Sequence, residues 1–324
     1  MKSLVFFNNK GGVGKTTLLC NVAAYLALEK GLKICVVDAD PQCNSTQYFF
    51  DDTTIEKIYS DKSSFTIQSI IDPLVEGTGY QNKISTRRAH NFGVDVIPGD
   101  PRLAITEDLL AKDWGEAKAG EIRGVRTSLV FSQLLSMLKD YDLVLFDVGP
   151  SLGAINRAIL LSTDFYVSPM SIDIFSLRAF ENIAEWIENW RTEWKRGIDN
   201  VRDQTRVPEH QAEGAKFVGY VSQQYLAKSV RGTRRPVGAY EHIRKQIDEI
   251  IETSIKENET PKRPFEIGTV QNLFSLVPMS QSSNKPVFRL QAKDGVVGSH
   301  FQKVKDAQEV FRQVSEKIYG RLND

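Results

Sequence analysis

The sequence predicts an α/β fold, in which a doubly wound, mostly parallel sheet is flanked by helices. Three observations predict it. Short apolar runs alternate with amphipathic segments along the 324 residues. A glycine-rich loop, Lys10–Thr17, joins the first apolar run to the first amphipathic segment. Two later apolar runs end in aspartates, Asp38 and Asp147. Because parallel strands end at one edge of a sheet, these groups should converge there.

The same patterns locate the individual elements. We predict strands at 3–9, 33–38, 94–98, 142–147, 164–169 and 216–222, and helices at 16–30, 126–139, 175–195, 237–258 and 300–321. Since the motifs are interleaved through one alternating pattern, we expect a single domain over 1–324. Two stretches, 46–93 and 186–214, are longer than the connections that this strand and helix pattern requires, and they are candidate insertions.

The loop has the composition of a phosphate-binding loop. It differs from G-x-x-x-x-G-K-[ST] in its first half, where Lys10 occupies the first motif position. Glycines let successive backbone N–H groups point at phosphates, at the positive end of the following helix. We expect Lys15 to reach the β- and γ-phosphates, Thr16 to ligate Mg²⁺ and Thr17 to touch the α-phosphate. The loop residues predicted to bind nucleotide are Lys10, Gly11, Gly12, Val13, Gly14, Lys15, Thr16 and Thr17.

Three carboxylates are predicted to converge on those phosphates. Asp38, Asp40 and Asp147 lie at or just beyond the ends of apolar strands. A triphosphate would repel them unless Mg²⁺ lies between, and we expect Asp38 and Asp147 to hold the ion through its waters. Asp40 precedes Pro41, so a simple turn or helix-cap role is an alternative for it.

These segments, in this order, resemble the ParA/MinD family of ATPases. Residues 10–17 look like its deviant Walker A motif, residues 38–44 (Asp-Ala-Asp-Pro-Gln-Cys-Asn) like its switch, and Leu143–Asp147 like its Walker B strand. The resemblance implies ATP and Mg²⁺ as cofactors and an ATP-dependent homodimer. It implies that Asp40 orients the attacking water and that Lys10 crosses the dimer interface to the partner's phosphates, as an arginine finger does. The alternative for Lys10 is that it has no role in catalysis and is a solvated lysine beside a turn.

The resemblance also implies partners, namely a ParB-like or other adaptor protein that stimulates hydrolysis, and DNA bound without sequence preference. Lys+Arg and Asp+Glu are equal at 41 each, so DNA binding would need a local patch. Arg231, Arg234 and Arg235 form the candidate patch, although ordinary solvated loops explain them equally well. For the adenine base, Gln223 and Pro278 are the candidates.

Other features exclude some classes of site. Cys20, Cys35 and Cys43 form no C-x-x-C or His/Cys cluster, which argues against zinc and iron–sulfur sites. No apolar run is long enough for a membrane span and the N-terminus lacks a secretory signal, so we expect a cytoplasmic protein, associated with the nucleoid if it binds DNA. The last helix carries an apolar face better explained by packing on the sheet than by membrane targeting. Trp186, Trp190 and Trp194 share a helical face, typical of core, with a partner contact as the alternative.

These features predict a ParA-like, Mg²⁺-dependent ATPase that works as a dimerisation switch and positions or segregates a plasmid, a chromosome or a protein cargo. Dethiobiotin-synthetase-like and cobyrinate-amidase-like enzymes, which activate small carboxylates, share the fold and the loop and are the alternative. Lys10 and the Asp40-Pro41-Gln42 switch favour the ATPase switch. A third possibility keeps the switch and replaces the DNA cargo by a defence or protein-positioning complex.

Overall fold

The computed structural model describes residues 1–61, 63–208, 214–225, 228–230, 233–235, 238–255 and 260–323, and between 224 and 241 the backbone alone. The strands are β1 (Lys2–Phe6), β2 (Ile34–Ala39), β3 (Arg87–Ala89), β4 (Val94–Ile97), β5 (Leu143–Val148), β6 (Phe165–Met170), β7 (Lys216–Tyr225), β8 (Lys228–Val230), β9 (Thr233–Arg235) and β10 (Glu266–Gln271). Within these residues, eight strands form the main sheet in the order β10-β7-β6-β1-β5-β2-β4-β3. All its neighbours are parallel except β3 against β4, and β8 pairs with β9 separately.

Helices cover both faces of this sheet. They are α1 (Lys15–Lys30), α2 (Asn44–Phe49), α3 (Asp52–Ser60), α4 (Gln68–Val75), α5 (Leu103–Lys118), α6 (Ile122–Ser128), α7 (Val130–Met137), α8 (Ala154–Ser162), α9 (Ile174–Asp199), α10 (Gly238–Ser254), α11 (Leu276–Ser282) and α12 (His300–Asn323). Side chains alternate between the faces, as a strand requires: Val5 of β1 joins the core beneath α5, α8 and α9, whereas Leu4 and Phe6 join the core beneath α1 and α12. The predicted doubly wound fold is confirmed.

The central position of β1 places the glycine-rich loop in the middle of the sheet edge. β1 pairs with β5 from Lys2↔Leu143 to Phe6↔Asp147 and with β6 from Leu4↔Phe165 to Phe6↔Val167. These strands are buried on both faces, which explains why they read as continuous apolar runs. Their carboxyl ends, together with the end of β2, form one edge that we call the carboxyl edge.

The last helix packs on the sheet, as expected. Its buried positions are Val304, Ala307, Phe311, Val314, Ser315, Ile318 and Leu322. Val314 lies against Gly268 of β10, and Phe311 contacts Phe288 with ring centroids 6.2 Å apart. Complete burial of one such aliphatic or aromatic side chain contributes about 1.5–3 kcal/mol, so this face is committed to the core. Among the described residues, no helix has the length and hydropathy needed to cross a bilayer.

The tryptophan prediction is confirmed for two residues of α9 and not for the third. Trp190 and Trp194 are buried, while Trp186 is 47% exposed. Trp194 stacks on Trp114 of α5, with ring centroids 6.1 Å apart and planes 10° apart, and the Arg157 guanidinium lies 4.4 Å from the Trp114 centroid. We call Trp114, Arg157, Trp190 and Trp194 the tryptophan layer. Residues 186–199 continue α9 without a break.

Several element predictions need correction. The first strand ends at Phe6 rather than at residue 9, because residues 7–14 turn away to form the loop. The helix predicted at 126–139 is two helices, α6 and α7, which meet at Leu129. The polar stretch 46–93 carries three helices and β3, and α5, α8, α11 and β10 are additional elements. That 46–93 and 186–214 are insertions stays a prediction.

Candidate nucleotide-binding site

The glycine-rich loop has the backbone that its sequence predicts. Gly12 and Gly14 have φ of 74° and 80°, in the left-handed region that glycine adopts without strain, and Gly14 precedes the first residue of α1. Asn8 anchors the loop, because its Nδ2 donates to the Pro169 carbonyl at 2.7 Å and its Oδ1 accepts from the Lys10 amide at 2.9 Å. The free N–H groups at the start of α1 are therefore held next to an open cavity.

This cavity has a volume of about 830 Å³, within the range of small-molecule sites. One end is formed by the loop, residues 11–17, with Lys15 and the backbone N–H groups as positive charge. The other end is mixed; its residues come from α2, α3 and α11 and include Gln47, Tyr48, Asp52, Ile55 and Gln281. A cavity with one anion-binding end and one amide-rich, partly apolar end suits a nucleoside phosphate.

Two predicted metal-binding carboxylates lie side by side. Asp38 and Asp147 are register partners on β2 and β5, and both are completely buried. Asp38 Oδ2 accepts from the Thr46 amide at 2.8 Å and the Thr46 hydroxyl at 2.6 Å. Asp147 Oδ2 accepts from the Thr16 hydroxyl at 2.9 Å. The structure thus brings Thr16, Asp38 and Asp147 together at the carboxyl edge.

Burial dominates the electrostatics of these groups. It raises the pKa of Asp147 to about 7, with the neighbouring Asp38 charge adding to the effect. Burial likewise raises the pKa of Asp38 to about 6, against the hydrogen bonds from Thr46. Lys15 is only 8% exposed, and burial lowers its pKa although Asp147 and Asp40 act in the opposite direction. A cation bound here would favour the ionised carboxylates.

The residues fit a magnesium ion. Asp147 Oδ1 is buried and accepts no hydrogen bond from the part of the chain that the structure describes. A hydroxyl and carboxylate oxygens are hard ligands of the kind that Mg²⁺ prefers. Within the described ranges, no three His, Cys, Asp or Glu side chains are grouped closely enough to hold a metal directly. Thr16, Asp38 and Asp147 would hold such an ion, which usually keeps several of its waters in sites with one or two carboxylates.

Asp40 lines the same cavity and also has a local role. Its Oδ1 accepts from the Gln42 amide at 2.9 Å, which is the turn predicted as an alternative. A Cβ at Gly149 would lie 3.4 Å from the same oxygen, so the turn after β5 passes close to the carboxylate. Asn156 fixes that turn by donating from its Nδ2 to the carbonyls of Gly149 at 2.8 Å and Ser151 at 2.7 Å.

Lys10 does not point into this cavity. Its Nζ forms an ion pair with Asp173 Oδ2 at 2.7 Å, and both side chains are 34% exposed. Asp173 also caps α9, since its Oδ1 accepts from the Ser176 amide at 2.9 Å. Lys10 is thus held within its own chain, at the border of the loop, rather than free in solvent.

The two adenine candidates lie outside the cavity lining. Gln223 is buried behind the loop, where its Oε1 would lie 3.3 Å from a Cβ at Gly14, and its Nε2 has no hydrogen-bond partner among the described residues. Pro278 lies in α11, one turn before Gln281, which does line the cavity. Tyr48 is tied to α11 through a 2.6 Å hydrogen bond between its hydroxyl and that of Ser280.

The DNA-binding candidates are only partly described. Arg231 lies outside the described residues. Arg234 and Arg235 are in β9, opposite Ser229 and Lys228 of β8, and their side chains are likewise outside the description. The structure therefore places the backbone of two predicted contacts in the antiparallel strand β9, and their role in DNA binding stays a prediction.

Some site residues were missed by sequence reasoning. Asp173 meets Lys10 across the fold, and the Glu107 carboxylate accepts from the Ala154 and Ile155 amides at the start of α8. Asn156, the third, fixes the turn just before its own helix. Asp173 carried one signal that could have identified it as a cap, because it precedes an amphipathic run.

The chain is similar over more than half of its length to several curated proteins, one of them a virulence plasmid ParA family protein of Chlamydia psittaci. Protein IncC of Escherichia coli is 27% identical over 191 residues, which cover 59% of this chain and 47% of IncC. The sporulation initiation inhibitor protein Soj of Bacillus subtilis is 30% identical over 186 residues, covering 57% of this chain and 64% of Soj. The chain thus spans between about half and just under two thirds of the length of these relatives.

Solved structures extend the likeness over the rest of the chain. Protein DIP2308 of Corynebacterium diphtheriae is 32% identical with a TM-score of 0.72, covering 88% of this chain and 97% of that one. A plasmid partition protein of Borrelia burgdorferi bound to AMPPNP (TM-score 0.61, 18% identity, 99% of each chain) shares the fold. So does pNOB8 ParA bound to nonspecific DNA (TM-score 0.59, 17% identity, 99% and 98% of the chains).

A family profile described as an AAA domain matches residues 1–199, which include the glycine-rich loop, the Asp-Pro-Gln switch and the β5 aspartate. The chain belongs to this AAA domain family, and it is a ParA/MinD-type P-loop protein.

Proposed function

We propose that this chain is a Mg²⁺-dependent ATPase that acts as an ATP-driven dimerisation switch. The observation that carries the proposal is that the glycine-rich loop lies next to a buried carboxylate, Asp147, one oxygen of which accepts no hydrogen bond from the described residues. Lys15 and the loop N–H groups face the same cavity as Asp40, and Thr16 joins Asp147, whose second oxygen has no partner among the described residues. This edge of the sheet is built to receive a phosphate chain together with a cation.

The residues divide the work of hydrolysis. The loop N–H groups and Lys15 bind and orient the phosphates, and Thr16, Asp38 and Asp147 would hold Mg²⁺, which supplies positive charge to the phosphoryl oxygens when bound. Asp40 has one carboxylate oxygen in the Gln42 turn, which leaves the other to orient a water for in-line attack. Lys10 of the partner subunit would complete the charge that stabilises the transferred phosphoryl group.

Light scattering with ATP, ADP and no nucleotide tests the switch. We expect wild-type protein to dimerise with ATP alone, and Asp40→Ala to bind ATP, hydrolyse it on the order of 10²-fold more slowly and accumulate as dimer. Lys10→Ala should bind ATP as a monomer and fail to dimerise. Lys118→Ala, which removes another exposed lysine from an ion pair (3.3 Å to Glu193), is the matched control. Wild-type protein that stays monomeric with ATP would favour a small-molecule enzyme of the dethiobiotin-synthetase type.

We also propose that the base lies at the amide-rich end of the cavity. Gln281 lines that end, and Pro278 lies one turn before it. Gln223, next to Gly14, offers an Nε2 group that has no hydrogen-bond partner among the described residues. A carboxamide can both donate a hydrogen bond to the edge of adenine and accept one from it. Such a paired contact favours adenine over another base by about 1–3 kcal/mol. Competition between ATP and GTP in Gln281→Ala and Gln223→Ala distinguishes the two amides, because the true contact should lose discrimination when truncated. No change in either variant would refute both.

DNA binding without sequence preference is the proposed output of the dimer. It is supported by the fold shared with pNOB8 ParA, whose structure holds nonspecific DNA, and by the clustering of Arg231, Arg234 and Arg235. Each phosphate contact should add about −0.9 to the slope of log affinity against log salt, so triple replacement by alanine should flatten that slope. Replacing the exposed Arg196, Arg202 and Arg206 is the control. An unchanged slope, or no DNA binding with ATP, would move the proposal to a protein cargo.

A ParB-like or other adaptor would stimulate hydrolysis and release the dimer, and the protein would work in the cytoplasm, on the nucleoid. Pull-down with the ATP-trapped Asp40→Ala dimer should recover an adaptor that wild-type protein with ADP does not bind. An adaptor bound equally in both states would contradict the switch.

A further inference from the structure

The ion pair between Lys10 and Asp173 has both partners fixed at the carboxyl edge. Lys10 follows β1 and Asp173 follows β6, and these strands are neighbours, paired at Phe6↔Val167. Asn8 joins the two segments through its hydrogen bond to the Pro169 carbonyl. The 2.7 Å contact between Lys10 Nζ and Asp173 Oδ2 is thus set by two anchored backbones rather than by a chance meeting of surface side chains.

The Asp173 carboxylate has two separate functions. Oδ1 accepts from the Ser176 amide at 2.9 Å and so caps α9, while Oδ2 holds Lys10. Capping needs only a side-chain oxygen, which Asn provides as well as Asp does. Holding an ammonium in an ion pair needs the negative charge. The two functions can therefore be separated by substitution.

We propose that Asp173 is a positioning residue that keeps Lys10 in its own subunit until the phosphates of a facing copy compete for it, and so sets the threshold of ATP-driven dimerisation. The inference rests on the proposed function, because it takes Lys10 as the residue that acts across the dimer. A lysine in direct contact with a carboxylate has to leave it to neutralise a partner's phosphates. A triphosphate carries more charge than one carboxylate, so the exchange proceeds only when nucleotide is bound opposite.

The surface next to this pair is suited to meet a second copy. Ile174 and Phe175, the first residues of α9, are 47% and 74% exposed and follow Asp173 directly. Docking of a second copy here would cover this apolar pair while excluding water from Lys10, and exclusion of water strengthens the attraction between its ammonium and a phosphate.

The expected size of the effect follows from the exposure of the pair. Ion pairs exposed to this degree contribute about 0.2–1 kcal/mol, a factor of about 1.4 to 5 in an equilibrium constant. A symmetric dimer releases two of them. Removing the Asp173 charge should therefore tighten the dimer by roughly 2- to 30-fold, and the gain should shrink as salt is raised.

Sedimentation of the full chain with saturating AMPPNP and Mg²⁺, over a range of protein concentrations, tests this. Asp173→Asn should lower the dimer dissociation constant by that factor and leave AMPPNP affinity of the monomer unchanged. Its melting temperature should fall by no more than about 3 °C, the loss of the ion pair alone, because α9 stays capped. Glu181→Gln, which removes an exposed ion pair with Arg178 (2.7 Å) from the same helix, should change nothing. Asp173→Ser, which also keeps a cap, should behave as Asp173→Asn does.

The outcomes separate the inference from the proposed function. A dissociation constant equal to wild type in Asp173→Asn overturns the inference, and a weaker dimer does so too, because Asp173 would then be a contact of the interface. Normal dimerisation of Lys10→Ala overturns the proposed role of Lys10 itself. A wild-type chain that stays monomeric with AMPPNP overturns both.

Discussion

The Trp114 side chain of the tryptophan layer and the Asp147 carboxylate of the carboxyl edge are both buried, but their polar atoms are satisfied to different degrees. In the tryptophan layer, Trp114 Nε1 donates to Glu193 at 3.2 Å, and the Arg157 guanidinium lies on the Trp114 ring and donates to the Leu110 carbonyl at 3.3 Å. At the carboxyl edge, Asp147 Oδ1 and Gln223 Nε2 are buried without a partner among the described residues. An unpaired buried oxygen costs free energy, and Asp147 Oδ1 lies in the carboxylate that also accepts from Thr16, so a cation bound there would supply the missing contact.

The largest effect expected from this difference is at Lys15. Lys15→Ala should abolish ATP binding, because the buried ammonium is the cation that the loop places in the phosphate end of the cavity. Lys30→Ala, at the other end of α1 in a 2.6 Å ion pair with Glu316, should bind ATP normally. Calorimetric titration with ATP and Mg²⁺ measures both, and unchanged affinity in Lys15→Ala would refute the assignment.

The tryptophan layer should respond in stability rather than in binding. Trp194→Ala removes a buried ring stacked on Trp114 and should lower the free energy of unfolding by about 3–5 kcal/mol. ATP affinity of the folded variant should stay at the wild-type value, because the ring is not part of the cavity lining. Urea unfolding checks the first statement and calorimetry the second. Trp186→Ala, on the exposed side of the same helix, should cost less than half as much; an equal loss would contradict the packing assigned to Trp194.

A smaller effect, of opposite sign, is expected at Asp147. Its folded-state pKa of about 7 lies above its usual value, so the folded chain binds more protons than the unfolded chain between about pH 4 and pH 7. Stability of the ligand-free protein therefore falls as the pH rises through this window. Asp147→Asn should stabilise the ligand-free protein at pH 8, on the order of 1–3 kcal/mol, with no gain near pH 4.

Thermal unfolding at the two pH values, without nucleotide or Mg²⁺, measures this gain. Asp142→Asn, a change to an exposed aspartate just before β5, is the control. A loss of stability in Asp147→Asn at pH 8 would show that the carboxylate is not an unpaired buried charge.

The sequence predicted the part of the site that is local along the chain. Short motifs at strand ends were enough to predict the loop and the position of Thr16 next to a carboxylate. They also predicted that Asp38 and Asp147 come together. The sheet was predicted wherever strands are buried on both faces and read as apolar runs. Helix α8 was not predicted because it spans only nine residues, Ala154–Ser162, which is shorter than the window in which a helical period is recognised.

What the sequence could not predict depends on contacts between distant segments. Lys10 and Asp173 are far apart in the chain, and only the adjacency of β1 and β6 brings them together. Helices α2 to α4 were not predicted because they lie in a polar, turn-rich stretch. A helical pattern is present there in α4, since Ile67, Ile70 and Ile71 have the i, i+3, i+4 spacing of one helix face. The mixed end of the cavity, which α2 and α3 help to build, was therefore missed as well.

The central place of β1 in the sheet has a consequence for biosynthesis. The strand that carries the glycine-rich loop pairs with β5 and β6, at Leu143 and Phe165, so its neighbours are translated much later. At roughly 5–20 residues per second, β1 waits on the order of ten to thirty seconds before it can be enclosed. During that interval an apolar strand, Lys2–Phe6, remains without its sheet partners. Until β5 and β6 have been translated, this strand should therefore need protection of the kind that a chaperone provides.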